Sequence, residues 1–191
     1  MKTWTRTLLA VALAGLLSAG AVDAKPRNVT DPDAPRELAG DGPVQVQWTD
    51  PAQFTELRQS SNRWEARRGD WVRQLAEHLR KSADRQLPAG QQLDVTITDI
   101  KRAGDYEPWH GPNLSDVRFM RDIYPPRITL QFTLSDAHGQ VIDQGERKLV
   151  DSGFLLNSTM RNDQDALRYE KRLLDDWLRR ELRQERPTAG L

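Results

Sequence analysis

The chain has 191 residues, with 28 basic against 28 acidic side chains, three histidines and no cysteine. Such a length suits about one domain, and the missing cysteine excludes disulfides, thiol catalysis, Cys-ligated zinc, iron–sulfur clusters and a lipidated-cysteine anchor. The charge balance removes any global electrostatic drive toward DNA, RNA or anionic lipid, so no nucleic-acid partner is expected.

Met1 to Arg6 is a short positive segment, and Leu8 to Leu17 is an apolar run too short to span a bilayer comfortably. Val22-Asp23-Ala24 then places small or modest side chains ahead of Lys25. Residues 1–24 therefore read as a signal peptide removed on export, which predicts a periplasmic product, not lipid-anchored, with no membrane insertion after cleavage. Residues 25–43 hold Pro26, Pro32, Pro35 and Pro43 among polar neighbours, predicting a disordered leader. Residues 184–191 predict a frayed tail. A single domain over 44–183 is long enough to bury one core.

Val44 to Trp48 alternates apolar and polar residues, the period of a half-buried strand, and Asp50-Pro51 ends it. Trp64, Trp71, Val72, Leu75 and Leu79 fall on one helical stripe. Its start is open, because Asn62 with Glu65 fits a capping box and Asp70 is a second candidate cap. Pro88-Ala89-Gly90 stops the helix. Leu93, Val95 and Ile97 mark a second strand, residues 104–126 look irregular, and Ile128, Leu130, Phe132 and Leu134 mark the clearest strand. Ser135 to Gly139 is turn chemistry, returning residues 140–150 as an antiparallel partner. Asn162-Asp163 would cap a last helix with Leu167, Leu174, Trp177, Leu178 and Leu182 on one face. Trp48, Trp64, Trp71 and Trp177 are all expected in the core.

This order predicts an α+β fold: a two-layer sandwich of a mainly antiparallel sheet with two helices on one face. The other sheet face, carrying Asp94, Thr96, Thr98, Thr129, Gln131 and Thr133, would meet water or a partner.

The segments VQVQWTDPAQFTEL (44–57), LPAGQQLDVTITDI (87–100), AGDYEPWHGP (103–112), DVRFMRDIYPPRITLQFTL (116–134) and RYEKRLLDDWL (168–178) resemble an exported proteobacterial family, domain-of-unknown-function family 3016. The resemblance covers nearly all of residues 44–180. That family has no established activity, so the resemblance implies the boundaries and the export and supplies no catalytic residue.

Few constellations carry chemistry. Asp105, Glu107 and His110 are oxygen and imidazole donors, but Pro108 breaks the helical geometry that would make them converge. A solvated loop with local ion pairs is expected there, and no metal. Arg118, Arg121 and Arg127 bracket Phe119, Tyr124 and Pro125-Pro126. Guanidinium forks recognise carboxylate or phosphate and aromatic rings stack on ligands, so Arg118, Arg121, Arg127, Tyr124 and Trp109 form the candidate ligand-binding set. The competing reading makes the arginines structural pins paired with nearby carboxylates, Arg127 above all because it adjoins the clearest strand. No Gly-x-Ser-x-Gly elbow occurs, and the adjacent Asp175 and Asp176 diverge on a helix, so no catalytic residue is assigned. No glycine-rich phosphate loop precedes a helix, and no cofactor is expected.

Two functions follow. The first is a non-catalytic protein binding an unknown periplasmic ligand or envelope protein through residues 104–127 or the polar sheet face. The alternative is a periplasmic hydrolase acting on an envelope component, with Asp99, Asp105, Glu107, His110 or Asp151 as its acids and bases.

Overall fold

A computed structural model describes residues 28–156 and 164–184. The proposed signal peptide, the Asn162-Asp163 cap and residues 185–191 lie outside the described residues.

The first strand, β1, spans Val44–Trp48 and buries Val44, Val46 and Trp48, as its alternation requires. Three helices follow, α1 (Thr55–Gln59), α2 (Arg63–Arg67) and α3 (Trp71–Asp84). They carry the chain to β2 (Gln92–Lys101), which pairs parallel with β1. A parallel pair needs a long crossover, and residues 49–91 supply it. Two short strands, β3 (Asp105–Tyr106) and β4 (Arg118–Phe119), pair in a separate two-stranded sheet. The hairpin of β5 (Arg127–Ser135) and β6 (Val141–Val150) completes a mixed sheet of order β1-β2-β5-β6. The last helix is α4 (Arg168–Gln184).

Register explains the core. Val46, Val95, Phe132 and Gly145 form one cross-strand row, and Trp48, Ile97, Leu130 and Arg147 form another. Apolar side chains thus accumulate on one face, which α3 covers above β1 and α4 covers above β5 and β6. The opposite face reads Gln47, Thr96, Gln131, Glu146 along a single row. The chain is therefore an α+β sandwich, with a largely antiparallel sheet and its two long helices on one side. On the edge strand β6 the inward position of Arg147 is satisfied by Glu181 of α4 at 2.7 and 3.1 Å, with its guanidinium 4.6 Å over the Phe132 ring. An inward charge on a sheet edge also discourages pairing with another chain.

Two expectations need correction. The segment read as a disordered leader is packed from residue 28 onward: Val29 and Leu38 are buried in the core. The Val29 amide donates to the Arg67 carbonyl, and residues 36–38 pair with 46–48 along the outer edge of β1. Proline content spoke against a regular strand, but isolated bridges need only a few amides, and the prolines occupy the gaps.

The single helix predicted through Trp64 and Trp71 is broken in two. Asn62 Oδ1 accepts the Glu65 amide at 3.2 Å and caps α2, while Asp70 opens α3. Gly69, at φ +84°, sits between them in a conformation suited to glycine. The break resets the helical phase, so Trp64 is 58% exposed while Trp71 stays buried. Arg68 stacks 4.9 Å over the exposed indole.

Candidate functional site

The excursion between β2 and β5 is held by two buried glutamates. Glu56 of α1 is fully buried beneath its start. It accepts from Arg118 Nη2, from Lys101 Nζ at 3.3 Å and from the Arg102 amide at 3.0 Å. Burial alone would raise its pKa, but the charges of Arg118, Lys101 and Arg102 outweigh that and hold it below the usual carboxylate value. Arg118 also donates to the carbonyls of Ala103 and Gly104 at 3.2 and 2.9 Å and lies 4.6 Å over the Tyr106 ring.

Gly104 explains why the chain can approach so closely. Its φ is +74°, and a Cβ there would stand 2.6 Å from the Phe119 carbonyl oxygen. Beneath this turn Ala103, Phe154 and Tyr169 form a second, smaller apolar cluster against Met120.

The second glutamate is Glu107. Its side chain is only 3% exposed, yet it lies at the periphery of the molecule, covered by its own partners. Arg121 Nη2 donates to it at 2.7 Å, His110 Nε2 at 2.8 Å and the Tyr124 hydroxyl at 3.1 Å. The Arg121 hydrogen bond is the main reason its pKa is lowered, with His110 and Tyr124 adding to it. The His110 ring lies 5.0 Å from Phe119 and 6.1 Å from Trp109, and Arg121 lies 5.7 Å over Phe119. Trp109 itself is 67% exposed and Ile123 is 65% exposed. Leu114 and Val117 add further exposed apolar side chains to the same excursion.

The predicted set therefore divides. Arg121, Tyr124 and Trp109 share one neighbourhood organised by Glu107. Arg118 turns inward to Glu56. Arg127 starts β5 on the polar sheet face, exposed, with no carboxylate at ion-pair distance among the described residues, so it is not the structural pin expected of it. Its in-register neighbours are Lys101 and Val150, and neither offers an acid.

The acids considered for hydrolysis are all engaged. Asp99 accepts from the Thr55 amide and hydroxyl at 2.6 and 2.7 Å. Asp105 pairs with Lys101 at 3.2 Å rather than joining Glu107 and His110, and Asp151 pairs with Arg172 at 2.7 Å.

Sequence reasoning missed Glu56 and Glu170. Glu170 of α4 is 1% exposed, and one oxygen accepts the Ala103 amide while the other has no hydrogen-bond partner among the described residues. Burial raises its pKa above the usual carboxylate value. A signal existed: Glu170 lies three residues after Leu167 and four before Leu174, on the apolar stripe itself. Glu56 had none, since its helix is too short to show a period.

Residues 42–180 match a protein family described as "Protein of unknown function (DUF3016)". No curated protein and no solved structure matches the chain.

Proposed function

We propose that this chain, which belongs to the DUF3016 family of proteins of unknown function, is an exported periplasmic protein that acts without catalysis, binding a partner of the cell envelope through residues 104–124. One observation carries the reading: the excursion is pinned from within by Glu56 and Glu107 while Trp109 and Ile123 project into solvent. A loop held by the buried Glu56 pair and the peripheral hydrogen bonds to Glu107 loses little conformational entropy on docking. Exposed aromatic and aliphatic side chains are the usual anchors of a protein interface. Arg118 and Arg121 contribute by bracing, since both already face carboxylates.

Export rests on the charged, apolar and small-residue succession of residues 1–24. No described helix is long and apolar enough to cross a membrane.

Photo-crosslinking in living cells tests the binding site. A photoreactive amino acid at Trp109 or Ile123 should give a discrete adduct, and the same probe at Thr133 on the open sheet face should not. Adducts from Thr133 alone, or from none of the three, would refute this assignment.

A further inference from the structure

Several arginines in this molecule face an acid: Arg36, Arg68, Arg73, Arg121, Arg147 and Arg172 each lie within salt-bridge distance of a carboxylate. Of those that do not, three lie together. Arg58, Arg63 and Arg67 line one open cleft of about 370 Å³, closed by Thr30, Ala52 and Leu57. No acidic side chain lines it, and among the described residues none of the three has a carboxylate at ion-pair distance.

The walls are held by contacts that leave the charges free. The Arg63 guanidinium donates one hydrogen bond, at 3.2 Å, to the Arg58 carbonyl at the end of α1, which ties α1 to α2. Its remaining donors have no partner among the described residues. The Arg67 carbonyl receives the Val29 amide at 2.9 Å, bringing the segment with Thr30 against the end of α2. Thr30 is fixed in turn, its hydroxyl donating to Asn28 Oδ1 at 2.8 Å.

Three like charges around one concavity repel each other, and an anion entering it relieves that repulsion. A carboxylate offers one charge and two oxygens. A phosphate group offers up to two charges and more acceptor oxygens, a better match to three guanidinium forks. We propose that the cleft formed by Arg58, Arg63 and Arg67 binds a phosphate group, carried either by a small soluble phosphoester or by a lipid headgroup. It is separate from the Glu107 site and does not rest on it.

The test uses the purified protein at low ionic strength with two probes. Glycerol 3-phosphate is titrated by calorimetry, and vesicles of phosphatidylglycerol or of phosphatidylcholine are used for co-sedimentation. Saturable binding of glycerol 3-phosphate identifies a soluble source, and binding to phosphatidylglycerol vesicles alone identifies a lipid. In either case Arg58→Gln and Arg67→Gln, neither of which removes the Arg63 bond, should each weaken binding about tenfold or more, as the loss of a charge-assisted hydrogen bond implies. Arg180→Gln, an exposed arginine on α4, should leave it unchanged. Circular dichroism checks folding, and Arg58→Lys, which keeps the charge and loses the fork, supplies a milder variant expected to weaken binding by a smaller factor. Absence of binding to both probes overturns the proposal, as does binding that Arg58→Gln and Arg67→Gln leave intact.

Discussion

Three arginines within ten residues of one another have three different environments, and their mutational costs should differ accordingly. Arg118 is buried against Glu56, and removing one partner of a buried pair leaves the other uncompensated. Arg118→Ala should therefore cost about 3–5 kcal/mol in urea denaturation. Arg121 is 46% exposed and its pair with Glu107 is screened by solvent, so Arg121→Ala should cost much less than Arg118→Ala. Arg127→Ala should stay within about 0.5 kcal/mol, because no charged group among the described residues holds that side chain. Equal losses at all three would contradict this ranking. The buried glutamates likewise act in opposite directions with pH. Glu56 and Glu107 have lowered folded-state pKa values, so their stabilisation is present above the unfolded value and is lost as pH falls through the folded one. Glu170 has a raised value, so the folded form binds its proton more tightly than the unfolded chain, and stability falls as pH rises from the unfolded value through the raised one and levels off above it. Glu170→Gln keeps an oxygen for the Ala103 amide and removes the titration. It should stabilise the protein at about pH 8, bring little gain at about pH 4, and flatten the alkaline limb of the stability profile. A variant less stable than the parent at about pH 8 would show that the carboxylate form is the one the core favours.

Among the elements, the break between α2 and α3 decides which tryptophans hold the fold. The Trp71 indole donates to the Ala66 carbonyl at 2.9 Å across that break, and Trp177 packs edge-on against Phe132 with ring centroids 5.7 Å apart. Both are buried, so Trp71→Ala and Trp177→Ala should each cost about 3–5 kcal/mol. Trp64→Ala removes only a stacking contact with Arg68 and should cost below about 1 kcal/mol. Trp109→Ala should also be mild, since its ring faces solvent. Thermal unfolding of the four variants separates the two classes, and a large loss with Trp64→Ala would mean that α2 buries its indole in solution. Elsewhere the sheet alternation carries through to packing: Leu93, Val95 and Ile97 point inward as their spacing requires. Past Ile97 a register shift at Thr98 lets Ile100 return to the buried face. That irregularity also aims Asp99 at the first turn of α1, where it accepts from Thr55.

At the scale of the whole molecule, the sandwich leaves one sheet face polar and gathers apolar exposure on the excursion between β2 and β5. Residues 1–24 carry the charged, apolar and small-residue succession of an export signal, so a reporter active only after export, fused behind residues 1–30, should give signal. The mature amino terminus, read by mass spectrometry, should begin near Lys25. Retention of the intact chain in the inner membrane would overturn that expectation.

Periodicity in the chain was enough to determine the four strands of the main sheet, the hairpin and the apolar faces of the long helices, because burial on one side of a strand or helix writes a repeat of two or 3.6 residues, whereas the two-residue strands β3 and β4, inside a segment read as irregular, are too short to show one. Val44 to Trp48 and Ile128 to Leu134 were legible for that reason, as was the single covered face of the sheet. The turn at Asp136 to Gly139 was legible from local chemistry, since Asp136 accepts the amides of His138 and Gln140 within the same turn. Only the tertiary structure decided that residues 28–43 pack on the domain, because a few long-range bridges leave no period. It alone assigned Arg118 to Glu56 and Arg121 to Glu107, partners 62 and 14 residues apart. It alone gathered Arg58, Arg63 and Arg67 around one cleft. Charge pairing depends on distance in space, and composition records only that the charges balance.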